Sequence, residues 1–202
     1  MPTVALVLYL VFLALAFGLR TLTQYRRTGS SGFHGVGGRV GSVRWWGGAL
    51  FVLAVLLGVA APLLQVTGVV DAVGFLDATP VAVVGLVLAL AGIGGTLAAQ
   101  QGMGASWRIG VDQRETTDLV TSGTFTVVRN PIFTTMTTAG LGLALLAPNV
   151  VALVGVAGLV AAIEIQVRVV EEPYLLRTHG QRYRDYATRV GRFVPGLGRL
   201  ST

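Results

Sequence analysis

Residues 129–172 read RNPIFTTMTTAGLGLALLAPNVVALVGVAGLVAAIEIQVRVVEE, and this stretch decides the fold. Between Arg129-Asn130-Pro131 and Glu171-Glu172 lies an almost unbroken apolar stretch, with no charge from Ile132 to Ile163. Halfway along it sits Ala147-Pro148-Asn149. A polar Pro-Asn break in such a run predicts a tight turn between two membrane helices. Folding the chain back at that turn brings Arg129 toward Arg168, Phe133 toward Glu164 and Phe125 toward Glu172. The two polar motifs then meet at one membrane surface, which is where chemistry is expected.

Composition sets the surrounding. The chain has 202 residues, 53% hydrophobic and only 12% charged, with a mean hydropathy of +0.72. A soluble domain carries roughly twice that charged fraction, so the sequence predicts an integral membrane protein. It has no cysteine, hence no disulfide and no thiolate metal site. The two histidines, His34 and His179, are not spaced as a ligand pair, and no metal is expected. Fifteen basic residues, all arginine, stand in a background rich in Ala, Val, Gly and Leu, a composition that points to a GC-rich bacterial genome.

The formal charge of +6 does not indicate nucleic acid, because the arginines follow the membrane. Apolar runs of spanning length fall at about 3–19, 47–67, 80–100, 131–147 and 150–168. The expected fold is thus all-α, with five transmembrane helices, the last two forming a hairpin. The loop 20–46 holds five arginines, the loop 101–130 holds Arg108, Arg114 and Arg129, and seven more follow from Arg168 to Arg199. The opposite side offers only Asp71 and Asp77. By the positive-inside rule the arginine face is cytoplasmic and the N-terminus lies outside, in a membrane expected to be the bacterial plasma membrane. Residues 3–19 are read as a retained helix, since the basic cluster follows the apolar run instead of preceding it.

Two regions are expected: 1–79, two helices with a cytoplasmic loop, and 80–202, which carries the other three spans, the loop 101–130 and the segment 169–202. Gly29 to Gly41 is glycine-rich but follows no strand, so it reads as a connector and not as a nucleotide loop. Gly85, Gly92, Gly94 and Gly95 suit close helix packing. The loop 101–130 is long, mixed in charge and dense in Thr and Ser, and long loops of this kind are often functional. Beyond the last span, Glu171 to Arg192 predicts an amphipathic cytoplasmic helix with Tyr183, Tyr186 and Val190 on a face suited to the membrane interface.

Glu164, Arg168, Glu171 and Glu172 are spaced i, i+4, i+7 and i+8, one face of a regular helix. A carboxylate within a span points to function, and the plainer alternative is a Glu164–Arg168–Glu172 salt-bridge ladder. Arg129 and Pro131 have an equally plain alternative, a snorkelling arginine and a helix-starting proline. Apposed to the acidic pair, however, Arg129 and Asn130 outline a pocket for a small zwitterion. Its ammonium would meet Glu171 and its carboxylate would meet donors from the loop.

Taken together, these motifs resemble the isoprenylcysteine carboxyl methyltransferase family of integral membrane enzymes. That pattern is Arg-His-Pro-x-aromatic, about forty residues, Glu-Glu-x-x-Leu, then Gly-x-x-Tyr-x-x-Tyr and a terminal proline. Here stand Arg129-Asn130-Pro131-Ile132-Phe133, Glu171-Glu172-Pro173-Tyr174-Leu175, Gly180, Tyr183, Tyr186, Arg192 and Pro195. Leu119 to Phe125 is similar to the loop preceding the first motif, and the likeness covers roughly residues 95–197. The resemblance implies S-adenosyl-L-methionine as methyl donor, contacted by Asp118, Leu119, Val120, Phe125, Asn130, Pro131, Ile132, Phe133 and Glu171, with Arg129 beside them. It also implies an arginine before the acidic pair that holds an acceptor's carboxylate, for which Arg168 is the nearest candidate. Glu164, Arg168 and Glu171 are thus the expected catalytic set. Asn130 replaces the usual histidine and cannot titrate, which argues against acid–base work there.

The expected partners are a lipophilic acceptor and membrane lipid. Methyl transfer from a sulfonium depends above all on alignment of donor and nucleophile, so the lack of a placed histidine or cysteine is no objection. Two other readings compete: an NADPH-dependent membrane reductase of the sterol-reductase type, and a non-catalytic module that uses the hairpin to bind a partner.

Overall fold

In the computed structural model the described residues are 1–31, 35, 37–104 and 118–201. The charged loop residues Arg108, Asp112, Arg114 and Glu115, and His34 of the glycine-rich connector, lie outside them. The described chain is helical, with a single isolated bridge between Val128 and Gly191. Its α-helices are α1 (Pro2–Leu13), α2 (Arg20–Thr28), α3 (Val43–Val66), α4 (Thr79–Gly102), α5 (Pro131–Leu146), α6 (Val150–Ile165) and α7 (Glu172–Arg189). Two π-helical segments, Ala14–Leu19 and Gln166–Glu171, fuse α1 to α2 and α6 to α7. Four continuous helices are long and apolar enough to cross a membrane: Pro2–Thr28, Val43–Val66, Thr79–Gly102 and Val150–Arg189. Pro131–Leu146 is a shorter apolar fifth. The protein is therefore an integral membrane protein built of helices.

Ala147-Pro148-Asn149 makes the expected tight turn. Asn149, wholly buried, caps α6 by accepting from the Ala152 amide at 3.0 Å, an interaction worth about 1 kcal/mol. Its side-chain amide donates to Ala61 O at 3.0 Å and to Gln65 Oε1 at 2.9 Å, tying the turn to the end of α3. The Val73 amide donates to Pro148 O at 2.6 Å, so the Asp71–Asp77 loop sits at this same end.

The two legs of the hairpin pack mainly on other helices. α5 lies against α4, and α6 lies against α3. The α4–α5 seam depends on missing side chains: a Cβ on Gly92 would strike the backbone of Ala139, and one on Gly142 would strike that of Ala89. Such small residues let helices approach closely where lipid offers no hydrophobic drive. Thr96 Oγ1 bonds Thr135 Oγ1 across this seam at 3.0 Å.

Several expectations are corrected here. The first helix does not stop near residue 19; it continues to Thr28, so Arg20, Arg26 and Arg27 ride on a helix and not in a loop. The C-terminal helix is continuous with the last span through Gln166–Glu171 and bends at Gly180, whose positive φ of 50° interrupts it. The face of Tyr183 and Tyr186 does not meet the membrane interface. Both rings are buried with Leu119 and Ala187, flanked by Leu175, Leu176 and Val190. The family likeness had cast these tyrosines as spaced motif residues, and the aromatic spacing fits protein packing as well as it fits an interface.

Candidate active site

At the end opposite the Asn149 turn, Arg129 is drawn out of solvent. Its amide donates to Gly191 O at 2.8 Å and the Asn130 amide donates to Arg192 O at 3.1 Å, so the C-terminal segment is stitched to the start of α5. Asn130 repeats the contact with its side chain, Nδ2 to Arg192 O at 3.1 Å. Thr134 Oγ1 donates to Phe193 O at 2.9 Å. Pro131 opens α5 where its missing amide costs nothing.

The Arg129 guanidinium donates to Glu172 Oε1 at 2.8 Å, Ala187 O at 3.0 Å and Gly198 O at 2.9 Å. Its centre stands 6.0 Å from the Tyr183 ring, within cation–π reach. Arg192 grips the same carboxylate in a fork, Nε to Oε1 at 2.8 Å and Nη2 to Oε2 at 2.9 Å. The hydrogen bond to Glu172 is the leading cause that holds the Arg192 pKa above its ordinary value, so this cation is permanent. Glu172 thus carries two arginines in a site where the Arg129 side chain is 1% exposed and the carboxylate 10%. Arg129 Nε is buried and has no hydrogen-bond partner among the described residues.

Against this cluster lies a cavity of about 560 Å³, within the usual range for small-molecule sites. Its polar end holds Arg129, Asn130, Glu171 and Glu172, with Gln166 donating to Glu171 Oε1 at 3.1 Å. Leu119, Val120 and Phe125 form one wall, and Pro131, Ile132 and Phe133 another. Tyr186 Oη donates to Phe125 O at 2.6 Å and so holds the short 3₁₀ turn Gly123–Thr126 that presents this wall. The far lobe is apolar and comes from the first helices: Leu13 and Phe17, then Gly47, Phe51, Val55 and Leu56 of α3. Both π segments contribute, one through Phe17 and the other through Gln166 and Glu171, in keeping with the frequent placement of π turns at functional sites.

Nine of the ten residues singled out for cofactor contact line this one cavity, and Asp118, which is exposed, does not. Of the three singled out for catalysis, only Glu171 lines it. Glu164 and Arg168 pair with each other on a partly exposed face, the Arg168 side chain 55% exposed. The expected ladder stops there, and Glu172 turns elsewhere. The π segment is the reason: one extra residue in the turn rotates the residues beyond it by about 100° relative to a regular helix. The sequence reading missed the far lobe, because the first two spans look generic, and it missed Gln100, which lines the cavity from the end of α4. Glycines 47 and 48 beside Trp45-Trp46, and a glutamine closing an apolar run, were the available signals.

This is a polytopic helical membrane protein with a large chamber, polar at the arginine-rich end and apolar toward the bilayer. The phospholipid methyltransferase family model matches residues 81–182. The chain belongs to that family, one of the isoprenylcysteine-carboxyl-methyltransferase-like membrane methyltransferases. The match begins earlier and ends sooner than the motifs alone suggest, spanning α4, α5, α6 and most of α7. No curated protein matches the chain in sequence.

Proposed function

We propose that the chain transfers a methyl group from S-adenosyl-L-methionine to a lipophilic small molecule at the cytoplasmic surface of a bacterial plasma membrane. The observation that carries this reading is the single chamber with two chemistries, a polar end of fixed charges and an apolar lobe reaching exposed, lipid-facing Val52 and Leu56. One end suits a soluble zwitterionic donor, and the other suits an acceptor entering sideways from lipid.

The residues present fit such a donor. Glu171 offers a carboxylate to an ammonium, and Asn130 and Arg129 line the same polar end, where a carboxylate would sit. Phe125, Phe133 and Leu119 supply apolar and aromatic surface for a nucleoside. When bound, the cofactor would supply an electrophilic methyl group on sulfur. The chain's own part is to orient: the Glu172 cluster fixes the start of α5, and Tyr186 fixes the Phe125 turn. Alignment of this kind is the larger share of catalysis for a displacement that needs no acid at the donor. The arginine-rich end is placed inside by the positive-inside rule.

Isothermal titration of the purified chain in detergent tests the reading. S-adenosylhomocysteine is expected to bind stoichiometrically and NADPH not to bind; NADPH binding alone would overturn it.

A further inference from the structure

Behind the chamber lies a second cavity, of about 60 Å³, between α1, α3, α5 and α6. Leu13, Phe17, Val55 and Met136 line both spaces and so form a neck between them. From that neck the lining runs the same way on each helix. It passes from Val55 to Pro62 on α3, from Met136 to Ala147 on α5, and back from Leu159 to Ala152 on α6. The cavity therefore points away from the polar end and toward the Asn149 turn. At 1.5 Å per residue, Val55 to Pro62 spans about 10 Å, so a space of this volume is slender.

Its chemistry is uniform. No charged side chain lines it, and its one polar side chain, Tyr9, commits the hydroxyl to Val55 O at 3.0 Å. Water in such a space needs about two to four polar partners, and no side chain is left to offer one. Helix approach does not account for all of its small residues either. A Cβ on Gly92 or Gly142 would strike backbone, whereas one on Gly140 would meet only the end of the Leu159 side chain, at 3.2 Å. A longer side chain at that position would fill the space. Left empty, the lining forfeits contacts that a guest of matching shape would restore.

We propose that this cavity is the end pocket for one unbranched aliphatic chain of the acceptor, whose length it measures. The inference deepens the methyltransferase reading and rests on it in taking the occupant as the methyl acceptor. Shape and position select that occupant. The chamber reaches lipid at the exposed Val52 and Leu56, and a molecule with its head at Glu171 sends its tail toward the neck. A slender apolar space beyond the neck admits a linear chain and rejects the side methyls of a polyprenyl chain or a fused ring. Lipid is as apolar as this wall, so the tail gains by packing and not by leaving water. Two sources carry such a chain, a single-chain amphiphile and one tail of a two-chain phospholipid.

The full chain is purified in a steroid-based detergent, which has no alkyl chain to compete, and bound probes are counted by native mass spectrometry. Wild type is expected to bind dodecylamine roughly tenfold more tightly than octylamine, the value of filling a void of about 60 Å³. Farnesylamine, with the main-chain length of dodecylamine but methyl branches, is expected to bind no better than octylamine. Gly140→Leu is expected to lose the dodecylamine preference and to bind octylamine as wild type does. Where Gly140→Leu is not monodisperse, Ala54→Leu plugs the same cavity from α3, and neither position lines the chamber. Monolauroyl and dilauroyl phosphatidylglycerol separate the sources: binding of the first alone assigns a single-chain amphiphile, and binding of both assigns one tail of a phospholipid.

Equal affinity of wild type for octylamine and dodecylamine, absence of binding included, overturns the proposal. So does a dodecylamine preference that survives the substitutions, an equal loss of both amines, or farnesylamine binding as dodecylamine does. Failure of S-adenosylhomocysteine to bind, with the chain-length profile intact, would instead sink the methyltransferase reading and leave the cavity as a chain pocket.

Discussion

Arg129 and Glu172 stand 43 positions apart in the chain and meet at 2.8 Å, Nη2 to Oε1, in a site almost closed to solvent. Arg192 completes the contact from the other side of the carboxylate. Two adjacent glutamates are thereby given different work. Glu172 binds the C-terminal segment to the start of α5, and Glu171, one residue earlier at the end of a π turn, faces the chamber with Gln166 beside it.

Glu172→Gln is expected to act on stability. Removing one partner of a buried ion pair leaves the other charge uncompensated and typically costs about 3–5 kcal/mol. Here two guanidinium groups lose their counter-ion at once. Thermal unfolding in detergent should show a large fall in midpoint, with little folded protein recovered. A variant as stable as wild type would mean that the cluster contributes nothing to holding the C-terminal segment.

Glu171→Gln is expected to act on binding. Neutralising the carboxylate proposed to meet the donor's ammonium would remove a charge-assisted contact worth about 1.5–3 kcal/mol, or roughly ten- to hundredfold in Kd. The thermal midpoint should stay near that of wild type. Calorimetric titration with S-adenosylhomocysteine reads the first quantity and unfolding reads the second; unchanged affinity would place the cofactor elsewhere. Arg168→Ala is the control outside the chamber. Its pair with Glu164 is partly exposed, and such pairs contribute about 0–1 kcal/mol, so neither midpoint nor affinity should move appreciably.

How far the sequence could be read depended on regularity. The hairpin was legible because a Pro-Asn break in an uncharged run has few other meanings, and Asn149 makes the turn from both sides. Arg129, Asn130 and Phe133 were legible because their helix begins at Pro131 and runs without interruption. Past Ile165 the same reasoning failed. A 3.6-residue count puts Glu164, Arg168 and Glu172 on one face, and the π segment breaks that count without leaving a mark in the residue types. The far lobe was illegible for another reason: Leu13, Phe17, Phe51 and Val55 are ordinary lipid-compatible residues. Only packing reveals that they enclose a space.

Gly142→Ala tests the seam that holds the family-matched helices together. The added Cβ would fall on the backbone of Ala89 and at 2.6 Å from Gly85 O, neither of which can rotate away. Overpacking of this kind costs about 1–3 kcal/mol, so the variant should unfold at lower temperature. Gly94→Ala, on the neighbouring α4 with open space around it, should be neutral or slightly stabilising through helix propensity. Equal midpoints for both variants would show that α4 and α5 do not approach as closely as described.

Orientation is open to a simple labelling measurement, because the chain has no cysteine to remove first. Asp71 and Asp77 lie on exposed positions at the end of the Asn149 turn, whereas Arg189 is exposed close to the Glu172 cluster at the other. The positive-inside rule predicts a cytoplasmic arginine end. A membrane-impermeant maleimide should therefore label Asp71→Cys in intact cells and label Arg189→Cys only after permeabilisation. The opposite pattern would put the chamber's polar end outside, away from the cytoplasmic pool of methyl donor, and the proposed reaction would lose its cofactor supply. Labelling of both positions in intact cells would mean that the chain does not hold one topology.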